Sequence, residues 1–167
     1  MTKSRTIGTK EYEVQEEGSD VFNIFEEMYP KCEFYGPSKA EGAKFKIIKI
    51  YPNVSRTVAA RIVRANARLK LFANVDYVIE ISGETWDSIT DDVRKILMLH
   101  ELNHVYVTYK KDGSGKLTLK DHDVQDFMSI IKEHGIDWFA NLGSTMGSLY
   151  FEKEKEDNPD FVPNIKL

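Results

Sequence analysis

The sequence predicts an α+β domain in which a small mixed sheet packs against a buried central helix. Residues 43–51 and 76–82 have the apolar runs or alternation of strands, and a segment with helical spacing lies between them. Residues 90–105 place apolar side chains on every side of a helix, which is typical of a buried one. The length of 167 residues suits one domain.

The N-terminal part of the chain is polar and charged over residues 1–18, where we expect a loose arm ahead of a domain at 19–151. From Asp20 onward, DVFNIFEEMY has apolar residues at helical spacing. Either Asp20 or Ser19 can cap this helix, and Pro30 ends it. The charged residues 152–167 are expected to form a tail.

The segment between the two strands, SRTVAARIVRANARLKLF at 55–72, is predicted to be a helix with an apolar stripe. Strand, crossover helix and strand predict a right-handed βαβ unit. Four basic residues lie mostly off the stripe: Arg56, Arg61, Arg64 and Arg68. They could bind nucleic acid, but a solvated helix face is favoured, and the net charge of −4 argues against general nucleic-acid affinity.

Thr90 is a good N-cap for the central helix, and acidic residues follow it in the first turn, where the helix dipole favours them. After that helix, VYVTYKK and KLTLK flank a DGSG turn and could pair as a hairpin. Asp121 would then cap a last helix, HDVQDFMSIIKEHG, which Gly135 ends.

The segment that indicates a function is His100-Glu101-Leu102-Asn103-His104. Helix positions four apart share a face, so both imidazoles can reach one metal ion. Glu101 lies about 100° round the helix from His100, where it can take a proton from water and pass it to a leaving amine. Zinc suits this chemistry because it lowers the pKa of a water towards about 7 and polarises the carbonyl. The pattern predicts zinc-dependent hydrolysis of a peptide bond, with Glu101 as general base.

A catalytic zinc takes three protein ligands and keeps one position open. His122 is the first candidate for the third ligand, because the connection from His104 is long enough to fold back. Asp126 is the second candidate, and it could instead hydrogen-bond a ligating imidazole. His134 lies at a helix end, where the dipole alone favours it, and is interpreted as a capping residue.

The segments DYVIEISGETWDSIT, KILMLHELNHV and HDVQDF together resemble the metallopeptidases encoded by bacteriophages and prophages. The resemblance spans roughly residues 43–131 and matches His100, Glu101 and His104, then His122, Asp123 and Phe127. It implies a minimal zincin-like fold with a His-Glu-x-x-His helix and His122 as third ligand. The Gly-x-x-His extension of metzincins does not follow His104.

Zincins pair an extended substrate with an edge strand above the cleft, and DYVIEIS is the candidate for that strand, although it could equally be a core strand. Trp86 is favoured as a core residue. Tyr106 or Tyr109 could supply a hydroxyl that stabilises an oxyanion.

Two alternative functions remain: a non-enzymatic phage protein that blocks a host defence system and has a structural metal site, or a nucleic-acid-associated module.

The composition limits the class of protein and the cellular compartment. The single cysteine, Cys32, excludes a disulfide scaffold and a multi-cysteine zinc module. The longest apolar runs are far shorter than a membrane span, and the first residues lack the apolar core of a signal peptide. We therefore expect a soluble protein of the bacterial host cytoplasm, with a protein or peptide substrate and no membrane partner.

Overall fold

The computed structural model describes residues 3–35, 42–122 and 126–161. Within these ranges it contains a five-stranded mixed sheet, a two-stranded hairpin and six α-helices. The strands are β1 (Lys3–Ile7), β2 (Lys10–Gln15), β3 (Phe45–Tyr51), β4 (Ala60–Arg64), β5 (Tyr77–Ser82), β6 (Val105–Tyr109) and β7 (Gly115–Leu119). The helices are α1 (Asp20–Met28), α2 (Ala67–Ala73), α3 (Gly83–Ser88), α4 (Asp91–Asn103), α5 (Met128–His134) and α6 (Asp137–Asp157). The predicted α+β class with a small mixed sheet is confirmed.

The large sheet has the strand order β1-β2-β3-β5-β4. Strands β3 and β5 are parallel, with Ile47 opposite Ile79, and the other three pairs are antiparallel. Helices α1 and α4 pack against each other, and their apolar faces share one buried cluster with the sheet. Leu102 of α4 and Ile79 of β5 are completely buried there. Burial of each such side chain contributes about 1.5–3 kcal/mol.

Several elements match the sequence predictions, because their capping residues, turn residues and apolar spacing agree with their burial in the structure. Helix α1 is capped by the Ser19 side chain, and α4 by that of Thr90. The hairpin β6–β7 forms around the predicted turn. The last predicted helix ends at Gly135 as expected, but it begins at Met128, with no side-chain cap at Phe127. The expected cap at Asp121 is therefore wrong.

The predicted helix over 55–72 is wrong. Residues Ala60–Arg64 form strand β4, and only Ala67–Ala73 are helical, with the Asn66 side chain as N-cap. The parallel pairing of β3 and β5 is as expected, but the connection between them contains this strand as well as a short helix. Consequently the four arginines do not share one helix face, and the hypothesis of an arginine helix that binds nucleic acid loses its structural basis.

The edge strands of the sheet are β1 and β4, and DYVIEIS is an interior strand, because β5 lies between β3 and β4. The Ala65 N–H bonds the Asp76 carbonyl, and the Ser82 N–H bonds that of Ala59. In an antiparallel pair the bonded positions alternate, so the N–H and C=O groups of the intervening Ala60 and Ile62 point away from β5. This outward edge of β4 faces the site described below.

The N-terminal segment also differs from the loose arm we expected. Strands β1 and β2 pair as a hairpin and join the sheet through β3. Gly8 forms the turn with a φ of 64°, a left-handed conformation that glycine adopts without strain. At the other end, α6 continues to Asp157 and so includes the first residues of the expected tail. The domain limits 1–18, 19–151 and 152–167 themselves stay predictions.

In the described part of the chain, no helix combines the length and the apolar character needed to cross a membrane.

Candidate metal centre and its cleft

The last turn of α4 positions the residues of the predicted motif. His100 and Glu101 lie in the helix, and His104 is its C-cap residue. The helix is buried from Ile96 to Asn103, so His100 and Glu101 are only 7% and 5% exposed. Burial of such polar groups is costly without partners, and within the described ranges no deeply buried side-chain nitrogen or oxygen lacks a hydrogen bond.

Three histidines converge at the end of this helix. One ligand atom from each of His100, His104 and His122 lies within 4.8 Å of the other two. The Nε2 atoms of His100 and His122 are 2.8 Å apart. Unlike the other two, His122 is exposed and lies in the connection between β7 and α5. The geometry thus brings together all three histidines that the sequence analysis selected.

The other ring nitrogens are held by fixed acceptors. His100 donates from Nδ1 to Asp126 Oδ1 at 2.6 Å, and His104 donates from Nδ1 to the backbone carbonyl of Lys120 at 2.8 Å. Asp126 in turn accepts from the Phe127 N–H at 2.7 Å and from the Trp138 indole N–H at 3.0 Å. These bonds leave the Nε2 lone pairs of His100 and His104 directed at the point where the three rings meet.

Burial sets the protonation of the site. It lowers the pKa of the His100 imidazole, against the attraction of Asp126, and it also lowers the pKa of His104. Both rings are therefore neutral near pH 7, which is the state that binds metals. Burial raises the pKa of the Glu101 carboxyl to about 7, although the backbone N–H of Ile62 on β4 partly opposes the shift.

A cleft of about 630 Å³ opens over Glu101 and the histidines. One wall is formed by β4 and the residues before it, from Arg56 to Ile62. The opposite wall is formed by α6, from Trp138 to Met146. An extended chain lying along β4 would therefore pass directly over Glu101.

A family model described as "Putative phage metallopeptidase" matches residues 14–150. The chain belongs to this family. The matched region contains Glu101, the three histidines and most of both cleft walls, and it confirms the resemblance found in the sequence. No curated protein and no solved structure matches the chain significantly.

Other residues considered from the sequence lie away from the histidine cluster. Trp86 is a completely buried core residue, as favoured. His134 is in the last turn of α5. Tyr106 and Tyr109 line a different depression, beside Phe34, and are about half exposed. They are therefore not placed to stabilise an oxyanion over Glu101. Asp123 lies outside the described residues.

The contribution of α6 to the site is not predicted by the sequence. Trp138 fixes Asp126 and also lines the cleft. The sequence does not predict this helix, because two glycines and several Ser and Thr residues weaken the helical signal. The spacing of Trp138, Leu142 and Met146, four residues apart, was the available sign of one apolar face.

A network of hydrogen bonds also braces the C-terminal end of α4. Asn103 accepts from the Glu33 backbone N–H at 3.0 Å, and Ser129 donates to the Glu33 carboxylate at 2.6 Å. The same carboxylate pairs with Lys120. Since the backbone of Lys120 holds His104, this network helps to fix the orientation of that ring.

Proposed function

We propose that the protein is a zinc-dependent, zincin-like peptidase in which His100, His104 and His122 hold the metal and Glu101 is the general base. The observation that carries the proposal is the convergence of three imidazoles beside a buried carboxylate in one open cleft. The family assignment supports the same class of activity.

The donor set fits zinc. Three imidazole nitrogens and one open position are the arrangement found in many catalytic zinc sites, and neutral imidazole suits zinc better than it suits magnesium or calcium. The bonds to Asp126 and Lys120 are of the kind that usually orients ligating histidines. When bound there, zinc would make a water acidic enough to ionise near neutral pH and would polarise the scissile carbonyl.

Glu101 moves the proton in this proposal. Its carboxylate takes a proton from the attacking water and then gives it to the leaving amine. Both transfers are most efficient when the pKa of the carboxyl is not far from the working pH, and burial already raises that of Glu101 to about 7 in the metal-free protein. Ile62 limits the rise by donating its backbone N–H, and that contact also holds Glu101 against the substrate-facing edge of β4.

The substrate backbone would lie antiparallel to β4. The outward N–H and C=O groups of Ala60 and the outward C=O of Ile62 are suited to pair with one more strand at the sheet edge, while the Ile62 N–H stays bonded to Glu101. Such pairing needs no particular sequence, so it supports a protein or peptide substrate of extended conformation. The role that we expected for DYVIEIS passes to β4.

The test compares wild-type protein with Glu101→Gln for metal content, by mass spectrometry, and for cleavage of a peptide library. We expect about one zinc per chain in both proteins, and a loss of about 10²–10⁴-fold in cleavage for the variant. An enzyme with Ala60→Pro, which removes one outward N–H, should show a higher KM than one with Ala60→Ser.

Two results would overturn the proposal. Absence of zinc from the wild type, even after zinc is supplied, would exclude the metal site. Zinc in both proteins with no difference in cleavage would favour the alternative of a non-enzymatic phage protein with a structural metal.

A further inference from the structure

The two walls of the cleft differ in chemistry. The β4 wall carries Arg56 and Arg61 and exposes backbone polar groups. The α6 wall has no charged side chain among the residues that line the cleft. We call this surface the apolar wall, and its members are Trp138, Phe139, Leu142, Gly143 and Met146.

The apolar wall directly adjoins the histidine cluster. The Trp138 ring lies 5.8 Å from that of His100, centroid to centroid, and its indole N–H is fixed by Asp126. A side chain resting on the Trp138 end of this wall therefore belongs to a residue close to the bond that is cleaved. A residue far along the substrate would not reach it.

Most of the wall is packed, but part of it is open. Trp138, Leu142 and Met146 are at most 4% exposed, whereas Phe139 is 47% exposed. One turn after Phe139, Gly143 leaves a gap, and a Cβ atom added there would meet no atom within 4 Å. The open space is bounded by the exposed Phe139 ring and the backbone of Gly143, both uncharged.

We propose that the apolar wall is the specificity pocket of the peptidase, that it accepts a bulky apolar side chain (the class of Leu, Met or Phe) next to the scissile bond, and that Gly143 sets its size. This inference rests on the proposed function. Pairing with β4 supplies only main-chain bonds, so selection among peptides falls to side-chain contacts. Burial of one large apolar side chain is worth about a ten- to hundredfold gain in affinity.

The test measures binding without turnover. Zinc-loaded Glu101→Gln is titrated calorimetrically with two acetylated peptides of Ala and Ser residues that differ only in a central Phe or Ser. The Phe peptide should bind about ten- to hundredfold more tightly. Cleavage sites mapped with the wild type should cluster beside Leu, Met and Phe.

The matched control uses the two glycines of α6. Gly143→Leu and Gly147→Leu, each placed in the Glu101→Gln protein, make the same change one turn apart, and a Cβ atom has open space at both positions. Gly143 lines the cleft and Gly147 is not among its lining residues. Only Gly143→Leu should abolish the preference for Phe, since both changes improve helix propensity equally.

Equal binding of the two peptides, or binding of neither to the zinc-loaded protein, would overturn the specificity pocket. Loss of the Phe preference in both leucine variants would overturn the role of Gly143. These results are distinct from failure of the proposed function, which would appear as a wild type that binds no zinc or that cleaves peptides no faster than Glu101→Gln.

Discussion

The molecule contains the same kind of hydrogen bond, from a tryptophan indole to an aspartate, in two places with different consequences. Trp86 donates its indole N–H to Asp20 at 3.0 Å, and Trp138 donates to Asp126 at the same distance. Asp20 is exposed at the start of α1, whereas Asp126 is only 5% exposed. The first pair joins a helix to the core, and the second orients His100.

The difference shows how burial decides what a carboxylate does. Burial on its own raises the pKa of Asp20, but the Trp86 bond and the nearby Lys49 outweigh it, so that pKa lies below its usual range. Water completes the remaining hydrogen bonds of such an exposed group. Asp126 has protein donors instead, and one of them is His100. A buried carboxylate with this donor set fixes the ring of a candidate metal ligand.

The largest expected effect is the loss of zinc affinity when a histidine of the cluster is replaced, compared with replacement of a histidine elsewhere in the molecule. His122→Ala should lower zinc affinity about a hundredfold or more, because it removes one of three ligands. His134→Ala is the control, since His134 lies in the last turn of α5, outside the cluster. Calorimetric zinc titration measures both. Equal affinities in the two variants would contradict His122 as a ligand and return Asp126 to consideration.

Sequence patterns predict the elements whose capping residues and apolar spacing agree with the way they are buried. Helix α4 has a capping threonine and apolar residues on all sides, and β3 and β5 are rich in β-branched and aromatic residues. Strand β4 was missed because an edge strand buries little: only Ile62 of its five residues is fully buried. Its apolar residues also fit a helical spacing, while the cap at Asn66 inside the predicted helix was the contrary signal.

The candidate site was predictable in part for a similar reason. The spacing of His100, Glu101 and His104 is a local property of one helix, so the sequence contains it directly. The proximity of His122 and the contact between Trp138 and Asp126 depend on how separate elements pack. The sequence could rank His122 above Asp126, but it contained no sign that α6 forms a wall of the cleft.

Glu101 is a buried carboxyl, and no cation is among the causes of its raised pKa. In metal-free protein its pKa is about 7, above the 4.5 of an unfolded chain, so folding favours the protonated form. The stabilisation is complete below pH 4.5 and is lost as pH rises through 7. As pH rises from 4.5 to 7, the free energy of unfolding of Glu101→Gln should therefore increase by about 3 kcal/mol relative to that of the wild type.

Urea unfolding at several pH values, with chelator present, measures this difference. The buried His100 has the opposite dependence, because its lowered pKa costs stability as pH falls below about 6.5. That contribution is common to both proteins and cancels in their difference. A difference that stays constant from pH 4.5 to 7 would contradict the burial of a neutral Glu101.

The smallest expected effect comes from replacing the aspartates of the two Trp–Asp pairs. Asp126→Asn should lower zinc affinity about 10- to 100-fold, because an amide cannot accept from His100, Phe127 and Trp138 as a carboxylate does. Asp20→Asn should leave zinc affinity unchanged and cost about 1 kcal/mol or less, because water can replace what the exposed carboxylate loses. Zinc titration and urea unfolding of both variants provide the measurement.

The two readouts distinguish orientation of a ligand from general support of the fold. If Asp126 only stabilises the packing of α6, Asp126→Asn should lower unfolding free energy while zinc affinity stays near that of the wild type. If Asp126 orients His100, the affinity loss should appear even where both proteins are fully folded. Since both aspartates have the same bond to a tryptophan, a zinc effect confined to Asp126→Asn would assign the effect to what Asp126 has in addition, above all its contact with His100.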